Sequence, residues 1–457
     1  QSNGRVDGFT MCTLSDAYII KNFRQISYAE IEIKDFLFLI GEQASGKSTI
    51  AKLIYFFKSL RQDYFDLLYE GKNRTLTELQ KKLISNIQNK FAVYFGYTSR
   101  LNDDFCIQYF FSTEKEYKLT LFKRKSLQIQ FADEYWDFIS KKTMGLQKQI
   151  NPDNNNKLNF ILQEKAKNAL IKKMTVEVNK IFFDDRETLF LPAGRNITVS
   201  YPEQFQLLFF GELKSVLYSN KETNTVDINL IKDFVSYSKF LADYFNGTKE
   251  NVENTPFRQL IRTIILQILQ GDYKNENGME KIFYNEKDFV PLSMSSSGQQ
   301  EVIRIIQDVI YILNEKQKAS RIIEEPETHL FPKAQKLLIE LLILVANKTN
   351  SQLIITTHSP YVQATFNNML YYTKVIRMQS DKKEEIEKFF STENLKTAAK
   401  ECINIDPEKF QAYALNANSD VYCKSILDNE TQLIGDNFID EETENINNEF
   451  DFLYSMI

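Results

Sequence analysis

The chain has 457 residues, 43% hydrophobic and 26% charged, an ordinary balance for a soluble protein and enough apolar mass for two to four structural units. Lys and Arg number 56 against 61 Asp and Glu, a net charge of −5, which excludes a uniformly basic nucleic-acid coat but leaves room for a local basic groove. Two histidines nearly exclude a zinc site built on several of them. The cysteines (Cys12, Cys106, Cys402, Cys423) are scattered without a CxxC pair, so a reduced, cytoplasmic protein is the expectation.

The first ten residues are polar and carry glycine, unlike a secretory leader, and Met11 is the expected native start. No run approaches the roughly 18 apolar residues of a membrane span. Ala17–Ile20 and Ala29–Ile33 alternate as half-buried strands. Asp35–Ile40 runs apolar like a buried parallel strand, stops at Gly41, and gives way to a helix with Ile50, Leu53, Ile54 and Phe57 on one face. Four short runs follow, Phe91–Phe95, Cys106–Phe110, Lys118–Phe122 and Leu127–Phe131, and read as an antiparallel meander. Residues 133–183 read as helix interrupted by the polar stretch Asn151–Asn156. A strand is expected at Thr188–Leu191 and mostly helix over 203–270. Residues 281–378 return to strand–helix alternation. The expected fold class is α/β: a nucleotide-binding core with a β-meander and a largely helical insertion. Its segments would be 11–132 (first half of the core), 133–280 (insertion), 281–378 (second half) and 379–457 (a mixed tail).

Gly41-Glu42-Gln43-Ala44-Ser45-Gly46-Lys47-Ser48 fits the P-loop pattern G-x-x-x-x-G-K-[ST] and lies between a buried strand and a helix, the context that pattern needs. Glycines let the backbone wrap a phosphate with its N–H groups inward, and the helix N-terminus adds positive potential. Lys47 would reach the β- and γ-phosphates of ATP, with the Ser48 hydroxyl on Mg²⁺ and Thr49 in the same turn. Arg321-Ile322-Ile323-Glu324-Glu325-Pro326-Glu327 ends an apolar strand in adjacent carboxylates, whose side chains point to opposite sides. One suits Mg²⁺ and the other an attacking water, although a solvated acidic loop would look the same in isolation. Ile354–Thr357 is another apolar strand, delivering His358. Ser293–Glu301 leads into a further helix, as an ordinary cap or as a second phosphate cradle.

With these four motifs in this order the chain resembles ABC-type ATPases of the SMC and RecF kind, and among them the overcoming-lysogenization-defect (OLD)-like proteins and the ATPase subunits of bacterial anti-phage systems. Ser295-Ser296-Ser297-Gly298-Gln299 is similar to the ABC signature Leu-Ser-Gly-Gly-Gln, departing from it at the first and third places. The resemblance implies a P-loop ABC-type ATPase head that hydrolyses ATP with Mg²⁺. It makes Glu324 the Walker B acid beside Ser48, Glu325 the catalytic glutamate and His358 the switch histidine. Ser296, Gly298 and Gln299 would serve the nucleotide of a second subunit. Lys21-Asn22-Phe23-Arg24 is similar to the N-terminal motif whose arginine touches phosphate, which nominates Arg24. Three glutamines (Gln108, Gln128, Gln130) remain open for the Q-loop. Pro192-Ala193-Gly194-Arg195 resembles an element of related defence ATPases, with Arg195 either a nucleotide sensor or part of a structural turn.

The resemblance further implies a homodimer or higher even oligomer bridged by ATP, and a separate effector such as a nuclease. The tail lacks the Asp-x-Asp pair of the TOPRIM nuclease domain. DNA contact is open, with Lys165, Lys167, Lys172 and Lys173 as candidates against a plainly solvated helix face; no membrane partner is expected. Three alternatives stand beside this reading. A P-loop kinase of a small molecule would need an acceptor site and no signature. An ABC transporter subunit would not carry so long an insertion. An ATP-binding scaffold would hydrolyse little.

Overall fold

A computed structural model describes residues 16–70, 75–96, 101–112, 117–150, 160–200, 228–246, 255–379, 404–416, 421–435, 447–451 and 454. Lys165, the Asn151–Asn156 stretch and residues 203–227 lie outside what is described, in side chain or altogether. Two compact units are present. One comprises residues 1–34, 56–92 and 97–185, the other residues 35–55, 93–96 and 186–457.

The first unit is built on a five-stranded antiparallel sheet in the order β2-β1-β4-β5-β6: β1 (Asp16–Phe23), β2 (Ile26–Ile33), β4 (Cys106–Ser112), β5 (Tyr117–Lys123) and β6 (Leu127–Phe131). Alternation places Tyr18, Ile20, Ile107 and Tyr109 on the buried face, where Tyr18 and Tyr109 stack at 4.6 Å between ring centroids. The Lys58 ammonium is buried there between Asp16 and Asp184, at 2.9 Å from each, so this interior cation is doubly matched.

One expected strand of the meander is helix. Phe91–Phe95 is the last turn of α2 (Leu76–Phe95), which follows α1 (Lys47–Glu70). Leu79, Leu83, Ile87 and Phe91 recur every four residues and are all buried. Thr75 and Glu78 cap each other reciprocally at the helix start. That stripe and cap outweigh the β propensity of a five-residue aromatic run. The helices α3 (Asp133–Ile150) and α4 (Phe160–Phe182) complete the unit; in α4, Lys167, Lys172 and Lys173 are exposed.

The second unit holds a six-stranded sheet, order β14-β13-β3-β12-β11-β7. Its strands are β3 (Phe36–Gly41), β7 (Glu187–Leu191), β11 (Ala319–Glu324), β12 (Gln352–Thr357), β13 (Phe410–Leu415) and β14 (Cys423–Ser425). All neighbours run parallel except β13 and β14. Three of these strands, β7, β13 and β14, come from sequence outside the expected core halves. Edge strand β7 lies within 133–280, and β13, from the tail, pairs directly with the P-loop strand. Around the sheet lie α5 (Ile228–Tyr244), α6 (Pro256–Leu269), α7 (Ser297–Glu315), α8 (Pro332–Thr349) and α9 (Pro360–Met378). A small antiparallel sheet, β8 (Asp272–Glu276), β9 (Met279–Phe283) and β10 (Phe289–Pro291), turns on Asn277-Gly278, both at positive φ. Asn-Gly is a strong hairpin signal that the apolar pattern alone does not reveal.

Candidate active site

Parallel strands deliver their C-terminal ends to one edge of the sheet, where open α/β folds place their ligands. Here β3, β12 and β11 are adjacent and in register: Ile40 faces Thr357, and Thr356 faces Glu324. The next residues along these three strands are Gly41, His358 and Glu325, so the P-loop, the histidine and the tandem carboxylates emerge in one row.

The P-loop folds as a nest, with Ala44 at φ +62° and Gly46 at φ +94°. The first helical bond of α1 runs from Ile50 N–H to the Gly46 carbonyl, so the N–H groups of Lys47, Ser48 and Thr49 precede the ladder. Gly41 is required by close approach. A Cβ there would meet the Ser45 hydroxyl and stand 2.7 Å from the Leu415 carbonyl of β13. Tyr422 donates to the Ser45 carbonyl at 2.6 Å, so the tail braces the loop from a second side. Glu42, Gln43, Ala44 and Ser48 are exposed, whereas Ser45, Lys47 and Thr49 are buried. Lys47 donates to the carbonyls of Gly41 (2.7 Å) and Glu42 (2.8 Å). Burial pulls its pKa down to about 8 against the upward pull of Glu325, Glu327, Glu324 and Glu42.

At the end of β11, Glu324 is buried and its Oε2 accepts the Ala193 N–H at 3.4 Å. Glu325 adopts φ +43°, uncommon for a residue with a Cβ, and this turns the chain out of the strand. Its Oε1 lies 3.3 Å from Nε2 of His358, and this contact, ahead of its other neighbours, holds the Glu325 carboxyl below its ordinary pKa. Glu327, which the sequence reading leaves without a first role, holds the histidine loop. Its Oε1 accepts the Thr357 hydroxyl and the His358 N–H, the latter at 3.1 Å. Its Oε2 is buried without a hydrogen-bond partner among the described residues, and burial raises its pKa.

The start of α7 is closed on itself. Ser296 and Gln299 form a capping box, and the Gln299 amide also donates to the Leu269 carbonyl at 2.6 Å. Ser296 is exposed, while Gly298 and Gln299 are buried. A Cβ on Gly298 would meet the His329 carbonyl at 2.6 Å, so this glycine serves close packing against the turn after the carboxylates, within the same chain. Lys47, Glu324, Glu325, Glu327 and His358 are thus electrostatic or hydrogen-bonding neighbours. The contacts of Ser296, Gly298 and Gln299 run to Leu269 and His329 instead. Arg24 belongs to the first unit, in the β1–β2 turn at φ +55°, with its guanidinium 6.0 Å from the Phe23 ring centroid. Gln108, Gln128 and Gln130 lie on strands of that same unit.

Helix α7 carries a buried polar stripe besides its apolar face. Gln300, Glu301, Arg304, Gln307 and Asp308 are all buried. Arg304 takes Glu280 of β9 in a fork at 2.6 and 2.8 Å, and Asp308 takes Arg321 of β11 at 2.8 and 2.9 Å. Arg195, wholly buried, joins Glu301 to the ends of β7 and β11. The apolar period of α7 is visible in the sequence. The polar stripe is not, because nothing local says that this face meets protein rather than water.

Among the described residues no helix is long and apolar enough to cross a membrane. The profile of the AAA ATPase domain family matches residues 17–362, and the chain belongs to that family. No curated protein matches the chain significantly. Among solved structures it is similar to the SMC head bound to the C-winged helix domain of ScpA (12% identity, 77% of this chain and 92% of that one, TM-score 0.35). It is also similar to the SMC head domain from Thermotoga maritima (11%, 78% and 92%, TM-score 0.32). A third is the SMC head with an extended coiled coil bound to the C-terminal domain of ScpA derived from Pyrococcus furiosus (12%, 77% and 91%, TM-score 0.32).

Proposed function

Taking membership of the AAA ATPase domain family as the premise, we propose that this protein is an SMC/RecF-like ATPase switch. It would pair with a second copy around two ATPs and control a separate effector, such as a nuclease, or a DNA transaction. Its place would be in the OLD-like, anti-phage branch. The supporting observation is the row of Gly41, His358 and Glu325 at three neighbouring strand ends, with Glu325 and His358 in contact at 3.3 Å. In this reading the P-loop N–H groups and the Lys47 ammonium hold the phosphates. Glu325 orients and polarises the attacking water, and His358, held by Glu327, senses the γ-phosphate. Exposed Ser48 and the carboxylate of Glu324 are the groups that fit Mg²⁺. Among the described residues no cluster of three acidic, His or Cys ligands forms, which suits an ion that takes most of its oxygens from phosphate and water. The ion's contribution is to neutralise charge on the phosphate oxygens.

Ser296 and Gly298 would approach the γ-phosphate held by a partner copy, making each site composite and the pair two-fold. Hydrolysis then removes the group that touches both subunits and releases them. The composite site is tested by mixing. Lys47→Ala and Ser296→Arg proteins are each expected to be inactive. Together they should recover part of the ATPase rate, because one site of a mixed dimer carries both lesions and the other neither. Retained hydrolysis in Ser296→Arg alone would remove the signature assignment. Glu325→Gln should bind ATP and turn it over at least about a hundredfold more slowly. Wild-type turnover in that variant would move the catalytic role to another carboxylate.

A further inference from the structure

Arg195 is fully buried, and although its Nε lies 3.5 Å from Glu301 Oε2, its guanidinium hydrogen-bonds to backbone carbonyls rather than to a carboxylate. It donates to the carbonyls of Pro192 (2.8 Å), Glu324 (2.7 Å) and Glu325 (3.1 Å) through its two terminal nitrogens. Its Nε donates to the Glu301 carbonyl at 3.2 Å, and its backbone N–H to Glu301 Oε2 at 2.9 Å. Burying a guanidinium is costly, and an apolar side chain would pack this volume at lower cost. What only a planar fork of donors does is fix several divergent carbonyls at once. Those carbonyls need fixing: at Glu325 the backbone turns to φ +43° and leaves the strand, and the direction of its Cβ follows from that peptide.

We propose that Arg195 is a positioning residue for hydrolysis: it locks the carbonyls of Glu324 and Glu325 to Glu301 of α7, so that the seating of α7 sets the aim of the Glu325 carboxylate. The proposal rests on the reading of Glu325 as the water-activating group. Glu301 lies about one turn beyond Gly298, which packs on the His329 carbonyl, so α7 meets the segment that follows β11 directly at Gly298 and, through Arg195, at Glu325. Movement of the α7 start, where a partner's nucleotide would bear, therefore reaches Glu325 through Arg195 without any contact between Ser296 and Glu325.

The test is a split between binding and turnover in the full chain. Arg195→Lys keeps the charge and loses the fork. ATP affinity, by titration calorimetry, should stay within about twofold, while kcat falls by roughly tenfold or more, as misaimed groups cost rate rather than binding. Glu301→Gln, acting from the α7 end, should give the same split with a smaller loss. In a Glu325→Gln background, Arg195→Lys should lower the single-turnover rate no further, since both changes remove one aimed carboxylate. Wild-type kcat in Arg195→Lys, affinity falling in parallel with kcat, or additive losses in the double variant would each overturn the proposal. If Arg195→Lys fails to fold, Glu301→Gln decides: a wild-type kcat there also overturns it. Wild-type turnover in Glu325→Gln would instead sink the underlying reading and this proposal with it. That result differs from an inert Glu325→Gln beside a fully active Arg195→Lys, which sinks the coupling alone.

Discussion

The P-loop and the lead into α7 are both serine- and glycine-bearing segments that open a helix, yet the two helix starts are built differently. At the P-loop the chain passes through two positive-φ residues, the first-turn N–H groups precede the helical ladder, and the Lys47 ammonium rests on the Gly41 and Glu42 carbonyls. At α7 Ser296 and Gln299 cap each other reciprocally, and the glycine is buried against His329. On the proposed reading, the first start binds phosphate within one chain. The second would add to a site only where a partner's γ-phosphate competes with its cap. The same residue types thus open a helix in two ways, through a positive-φ loop in one and a reciprocal cap in the other.

The largest expected consequence is in binding. Lys47→Ala should weaken ATP binding by about 1.5–3 kcal/mol, tenfold or more, as a charge-assisted contact is lost. Ser296→Ala should leave the affinity of the isolated chain unchanged. Calorimetry on both variants checks this, and a loss in Ser296→Ala equal to that in Lys47→Ala would break the comparison. Next come the two glycines. Gly41→Ala and Gly298→Ala each push a methyl onto a backbone carbonyl, at 2.7 and 2.6 Å, so each should destabilise by about 1–3 kcal/mol in denaturant titration. Only Gly41→Ala should also lose ATP.

Ser296→Ala removes the cap and should cost about 1 kcal/mol of stability. A smaller effect would mean that the box is weaker than its geometry. The smallest expectation concerns pH. The Lys47 pKa of about 8 lies below the ordinary lysine value. The unfolded chain therefore binds more protons between those two values, and this group's contribution to stability grows as pH rises through that window. Binding runs the other way, because phosphate favours the ammonium. Affinity should fall about fourfold from pH 7 to 8.5, with proton uptake on binding. Calorimetry in buffers of different ionisation enthalpy that detects no uptake at pH 8.5 would contradict this.

Much of the site was legible because its parts are local. The glycine spacing, Lys47 and Ser48 stand within eight residues, and Glu324, Glu325 and His358 each end an apolar run that reads as a buried strand. Phe91–Phe95 reads as strand by itself because five residues carry propensity but not period, whereas the four-residue spacing back to Leu79 settles helix over strand.

What the sequence by itself determined is which residues stand at the strand ends, since those motifs need only a strand, a turn and a helix in succession. The tertiary structure alone decided which ends are neighbours. It set β13 from the tail beside the P-loop strand, seated Gly298 on His329, and led Arg195 from an edge strand to the carbonyls of Glu324 and Glu325. Parallel pairing and buried polar contacts join residues more than a hundred positions apart. No local spacing encodes such partners; they follow from how the layers pack and from the need to satisfy every buried donor and acceptor.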